Sequence, residues 1–103
     1  MYKIIHKPQA RVDAQGIYDH YENCREGLGD EFIDEFETTI EKYLTKTPKI
    51  FQIITKNIRR TTLNKFSEHS IFYVVNETKQ EVQILAVMHN KRCPEHWKRR
   101  NKN

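Results

Sequence analysis

A chain of 103 residues with 37% hydrophobic side chains is long enough for one small domain with a real core and too short for two, so residues 1–103 are read as a single domain. No stretch approaches the roughly 20 apolar residues of a bilayer span. The opening MYKIIHKPQAR lacks the apolar run and small-residue cleavage site of a secretion signal, which predicts a cytoplasmic protein with no membrane partner. Cys24 and Cys93 lie far apart in sequence, and in the cytosol they are expected as unpaired thiols. The formal charge of +4 is unevenly spread: residues 1–48 hold 6 basic and 10 acidic side chains, net −4, and residues 49–103 hold 12 and 4, net +8. The second half therefore draws a polyanion or an acidic protein, unless its charge is only a solvated surface.

YKII at residues 2–5 is a β-prone run, and Pro8 follows where a first helical turn tolerates a missing amide hydrogen. From Ala10 the residues Ala14, Ile17, Tyr18, Tyr21 and Cys24 recur at three and four, the period of an amphipathic helix. REGLGD interrupts it, and a second helix carries Leu28, Phe32, Phe36, Ile40 and Leu44 in steps of four. Its other face holds Asp30, Glu31, Asp34, Glu35, Glu37 and Glu41, most simply a solvated surface. Pro48 closes the helical half. IFQII and IRRTTL read as extended segments, and SIFYVV and VQILAVMH as longer strands joined by the turn NETKQ. Residues 71–75 and 84–88 are apolar on both faces, as central strands are. The predicted fold is α+β: an N-terminal strand, an antiparallel helical hairpin packed on a mostly antiparallel sheet of three to four strands, and a short C-terminal helix, PEHWKRR.

The candidate chemistry is basic. Lys49 to Ser67 contains Lys49, Lys56, Arg59, Arg60 and Lys65 and no acid. Arg59 and Arg60 are adjacent in a predicted strand, so their side chains leave opposite faces. One of them can hold a phosphate through two parallel hydrogen bonds, or pair with an acid of the second helix. His89 ends the last strand and Arg92 follows it; a histidine there suits general acid–base work or a structural hydrogen bond to a loop. Trp97 can stack on a base or pin the terminal helix to the sheet, with Lys98, Arg99 and Arg100 in water. His89, Cys93 and His96 are spaced like three zinc ligands, yet no further ligand pair completes a tetrahedron, so neither metal nor cofactor is predicted.

Three stretches, IYDHYENCREGLGDEFIDEFE, IRRTTLNKFSEHSIFYVV and ILAVMHNKRCPEHWKRR, resemble in their order and spacing the RelE/ParE superfamily of type II toxin–antitoxin toxins. The resemblance covers almost the whole chain and implies a helical hairpin on an antiparallel sheet. It also implies a cognate antitoxin whose flexible segment folds as it wraps the toxin. The superfamily divides by target. RelE-like members cut mRNA in the ribosome without a metal, which would assign catalysis to Lys56, Arg59 or Arg60, Lys91 or Arg92, and the region of His96 and Trp97, with His89 near the strand end. ParE-like members poison DNA gyrase and need no catalytic residue; there Arg59, Arg60, Lys65, Arg92, Trp97, Lys98, Arg99 and Arg100 would serve target binding. Trp97 stands about where a catalytic tyrosine would, and an indole is no ordinary acid or base. With the tyrosines and GLGDEF of the hairpin and with AVMHNKR, it places the sequence nearer the ParE-like branch. RelE-like mRNA cleavage is the alternative, and a toxin-fold protein that only binds its antitoxin is a third reading.

Overall fold

The computed structural model describes residues 1–90. The chain runs β1 (Lys3–His6), α1 (Pro8–Cys24), α2 (Leu28–Thr39), a π-helical turn (Ile40–Leu44), a short 3-10 turn (Pro48–Ile50), β2 (Ile53–Thr55), β3 (Ile58–Thr62), β4 (His69–Asn76) and β5 (Glu81–His89). The strands form one sheet in the order β1-β5-β4-β3-β2. β1 lies parallel to β5, with Ile4 opposite Val82, and every other pairing is antiparallel. The sheet thus has five strands, against the three to four expected, because both the N-terminal run and the three-residue β2 join it. The predicted C-terminal helix lies outside the described residues.

Both faces of the central strands are buried. Along β4, Ile71 and Tyr73 meet Ala10, Ala14, Phe32, Phe36, Ile40 and Leu44 of the helical layer. Phe72 and Val74 alternate with them and join Ile58, Leu85, Ala86 and Met88 in a second cluster. That alternation is the period of a pleated strand. β5 departs from it: Tyr73 pairs with Ile84 but Phe72 pairs with Ala86, so Leu85 is an extra, bulged residue. Ile84 and Val87 can then both reach the helical side, although they are an odd number of residues apart. Full burial of each such side chain contributes about 1.5–3 kcal/mol.

The helices hold to this sheet through small contacts. Lys7 donates its amide hydrogen to the Ile84 carbonyl at 3.0 Å, which carries the chain from β1 into α1. β1 reaches only as far as Ile84 along β5, and the Val87 N–H beyond it is satisfied by Asp13 of α1, whose Oδ2 accepts at 3.2 Å. The second helix was expected to run unbroken to Leu44. Its apolar residues step by four, and each such step overshoots a helical turn by about 40°. The π-helical turn, closed from the Thr45 N–H to the Ile40 carbonyl, rotates less per residue, and Leu44 comes back to full burial.

The hairpin itself depends on one carboxylate. Gly27 takes φ +88°, a left-handed conformation, and starts α2 with its amide hydrogens turned back toward α1. Both oxygens of Glu22 are used there: Oε2 accepts from the Gly27 N–H and Oε1 from the Gly29 N–H, each at 2.9 Å. These are donors that a helix start leaves without a partner of its own. At Gly29 the two helices nearly touch, and an added Cβ would stand 2.7 Å from the Tyr18 carbonyl oxygen. Gly29→Ala must therefore move backbone apart. We expect it to lower the unfolding free energy by about 1–3 kcal/mol in urea titrations, as overpacked interiors do.

Candidate functional site

The side chains that gather the most chemistry stand where β4 begins and β5 ends. His69 and His89 are direct cross-strand partners, with rings edge-to-face at 5.6 Å. Tyr21 of α1 brings its hydroxyl to 3.3 Å from His69 Nδ1, and His20 packs against the Tyr21 ring. Phe32 and Phe66 close the cluster from the side of α2 and the β3–β4 loop. The Glu68 carboxylate stands 3.8 Å from His89 Nε2. The strand end is tied down as well. Asn90 donates its backbone N–H to the Glu68 carbonyl and its side-chain amide to the Ser67 carbonyl, and it accepts from the Ser70 hydroxyl.

A cleft of about 350 Å³ opens beside this group, between Val12, Gly16 and His20 of α1 and Met88, His89 and His69 of the strands. Burial lowers the pKa of His69; the nearby His89 and His20 push the same way, and Glu68 opposes them. Burial raises that of Tyr21, and the Glu68 carboxylate adds to the rise. At neutral pH the contact therefore joins a neutral imidazole to a neutral phenol, one ring nitrogen donating and the other accepting. Among the described residues, no group of three or more His, Cys, Asp or Glu side chains is arranged to hold a metal.

The basic residues singled out in the sequence do not converge. Arg59 pairs with Tyr73 and so shares the helical side of the sheet. Its Nη1 donates to the carbonyls of Phe51 at 2.7 Å and Lys49 at 3.1 Å. The Tyr73 hydroxyl, with a pKa driven up by burial, donates to the neighbouring Pro48 carbonyl at 2.6 Å. The pair fixes the 3-10 turn. Arg59 is thus engaged by main-chain carbonyls and not by an acid of the second helix, the alternative considered from sequence. Glu35 of that helix instead accepts the backbone N–H groups of Asn64 and Lys65. Arg60 pairs with Phe72 and lies half-buried on the opposite face. Lys56 is exposed at the β2–β3 turn with φ +48°, and Lys65 is exposed beyond β3. Of the basic candidates among the described residues, His89 alone lines the cleft. Lys91, Arg92, Cys93, His96, Trp97, Lys98, Arg99 and Arg100 lie outside the described residues, while Cys24 is an exposed free thiol.

His20, Tyr21 and His69 were not singled out from the sequence. Counting outward from NETKQ in strict register sets His69 opposite Met88; only the bulge at Leu85 moves it onto His89.

This arrangement, a helical hairpin on one side of a mostly antiparallel sheet with a parallel β1–β5 pair, has counterparts among solved structures. The solved structure of the chromosomal ParDE system from P. aeruginosa is similar, with TM-score 0.74 and 19% identity over 86% of this chain and 96% of that one. The RelBE2 toxin–antitoxin complex from Mycobacterium tuberculosis gives TM-score 0.65 and 14% identity over 86% of this chain and 98% of that one. The intact RelBE complex from E. coli gives 0.53 and 13% over 89% and 100%. No curated protein matches the sequence. The family model described as the ParE toxin of type II toxin-antitoxin systems, parDE, matches residues 4–94, and the chain belongs to that family. It is the toxin of a type II toxin–antitoxin system. No helix among the described residues is long and apolar enough to cross a membrane.

His6 and His69 are both held below the ordinary histidine value of about 6.5, in each case chiefly by burial. The unfolded chain then binds more protons than the folded one as pH falls through that value, so stability present above it is lost on acidification. We expect Tm to drop between pH 7 and pH 5, and NMR titration to place His69 below the ordinary histidine value. Arg59→Ala, which leaves two carbonyls without their charged donor, should lower the unfolding free energy by about 1.5–3 kcal/mol.

Proposed function

We propose that this toxin inhibits DNA gyrase by binding, without nucleolytic chemistry, and that a cognate antitoxin neutralises it. The observation that carries the reading is the fate of the strand arginines. Metal-free cleavage of RNA needs several cationic side chains around one phosphate, to activate the 2′-hydroxyl and to spread the developing charge. Here Arg59 donates its Nη1 to the carbonyls of Lys49 and Phe51, and Arg60 leaves from the other side of the sheet. Tyr73 is fully buried with its hydroxyl on the Pro48 carbonyl, so it is not offered to a substrate either.

The match to the ParE toxin family over residues 4–94 supports the same side of the superfamily, and the similarity to complexes titled as toxin–antitoxin pairs supports an antitoxin partner. A binding toxin needs a charged, stable surface and no catalytic group. A net charge of +8 in residues 49–103 suits a target that is itself a complex of protein and DNA.

Purified toxin should abolish supercoiling of relaxed plasmid by gyrase, and adding antitoxin should restore it. Translated mRNA should stay intact in primer-extension assays on ribosomes. Cleavage of ribosome-bound mRNA with normal supercoiling would refute the proposal in favour of RNase action, and harmless expression without antitoxin would leave only antitoxin binding.

A further inference from the structure

We infer that the chain's own C-terminal segment, residues 91–103, lies across the face of the sheet that the helices leave free, with Trp97 as the side chain that fills the cover. The cover belongs to the folding of the domain and does not depend on the toxin's target. The sheet has two apolar faces and one helical layer. Phe32, Phe36 and Leu44 of that layer pack on one face only. The cluster on the other face consists of Ile58, Phe72, Val74, Leu85, Ala86 and Met88, with Ile54 packed against it, so every member comes from a strand.

Strand side chains on one face stand side by side, roughly perpendicular to the sheet, and their ends stay in water unless a second layer packs on them. Yet Phe72 is 2% exposed, Met88 4% and Ser70 0%, all within a single copy of the chain. The burial also has a direction. It starts where β5 ends, at Ser70 opposite Met88, continues through Phe72 opposite Ala86, and reaches Val74 and Ile58. Thr62, the partner of Ser70 on β3, is exposed. The covered track therefore begins at the point where the chain leaves the sheet. Asn90 fixes that point: it lies two residues beyond Met88, and its side chain accepts from the Ser70 hydroxyl, so the chain departs on this same face.

The thirteen residues that follow Asn90 have the reach and the composition for this cover. Trp97 stands seven positions past Asn90, a span of roughly 10 Å as helix and roughly 23 Å extended. Phe72 and Val74 stand about 7 Å and about 13 Å along β4 from Ser70. Trp97 thus reaches the middle of the track in either conformation. It is the one large apolar side chain of the segment, and the six cations Lys91, Arg92, Lys98, Arg99, Arg100 and Lys102 can lay their stems on the sheet while their charged heads stay in water. Placed on Phe72 and Met88, the indole has no face left for a nucleic-acid base. A second copy of the chain is not needed, because the face is already buried in one.

Trp97 is the only tryptophan of the chain, so its fluorescence reports on the cover directly. In the refolded full-length toxin its emission should lie well to the blue of its emission in urea, and iodide should quench it several-fold less than in the unfolded chain. NOESY spectra should join the indole protons to the Met88 methyl group and the Phe72 ring. Trp97→Ser should lower Tm by at least about 10 °C and make the protein bind anilinonaphthalene sulfonate, while Trp97→Phe should restore most of the loss. If Trp97→Ser does not fold at all, the wild-type emission and NOEs decide. Solvent-like emission, free quenching and no such NOEs, in a toxin that melts cooperatively, would overturn the inference. A blue shift that disappears on dilution together with a dimer in sedimentation would overturn it in favour of a second copy. Solvent-like emission that a single-stranded oligonucleotide quenches would overturn it in favour of base stacking.

Discussion

The register between β4 and β5, with its single extra residue at Leu85, is the constraint on which the rest of the molecule depends. Strict pairing out from the turn after Asn76 would turn every β5 residue beyond Ile84 to the wrong face, because a one-residue slip exchanges the two sides of a strand. The bulge absorbs the slip. It lets Ile84 and Val87 both enter the core beneath α1, sends Leu85, Ala86 and Met88 to the other side, and aligns His69 with His89. The Val87 N–H, placed by the same shift, becomes the group that Asp13 of α1 satisfies. Packing of the first helix, closure of both cores and the histidine cluster at the strand end thus share one cause.

A second constraint works at the far edge of the sheet. Arg59 and Tyr73 are cross-strand neighbours, and their polar ends reach the same short turn at Pro48–Ile50. A buried tyrosine hydroxyl and a guanidinium both need acceptors; the turn supplies the carbonyls of Pro48 and Lys49, and Phe51 just after it supplies a third. On the outside, Lys49 donates to Glu77, which also accepts from the Tyr2 hydroxyl, joining the turn to the N-terminus and to the β4–β5 loop. Those outer groups are exposed and contribute little in water. The buried Tyr73 bond and the two from Arg59 are the ones that hold Ile50 where it stands. The charge that looked like a phosphate site in the sequence is in part a device for holding backbone.

Periodicity made the main elements legible. The three-and-four spacing of Ala10, Ala14, Ile17 and Tyr21 marked α1, and the doubly apolar runs at 71–75 and 84–88 marked the central strands, since burial on both faces leaves no other composition. What stayed hidden depended on contacts distant in sequence. β2, only three residues long, falls at the end of the extended run IFQII, but its place in the sheet depends on the edge that β3 offers it. The π-helical turn at Ile40–Leu44 was foreshadowed by strict steps of four but is decided by the demand that Leu44 be buried. Arg59 and Arg60 were correctly separated to opposite faces by alternation; which of them was committed could only come from knowing that the turn at residues 48–51 lies under β3.

The candidate site was the least legible part, for a physical reason. Its members come from α1, the start of β4 and the end of β5, three segments that no local pattern relates. His69 reads in sequence as one polar residue before a strand. It becomes the centre of an aromatic and imidazole cluster because the hairpin folds β5 back over it and the helix sets Tyr21 against its ring. The burial that lowers its pKa follows from that packing and favours the neutral ring. A neutral histidine held against a neutral tyrosine gives this end of the cleft shape and hydrogen bonding without adding a cation, and this suits a surface that recognises a partner better than one that gathers phosphates. A similar division runs along β3 and β4: Lys56 and Arg59 stand where β3 begins, the rings gather where β4 begins, at the other end of the paired strands, and Arg59 donates to its own backbone.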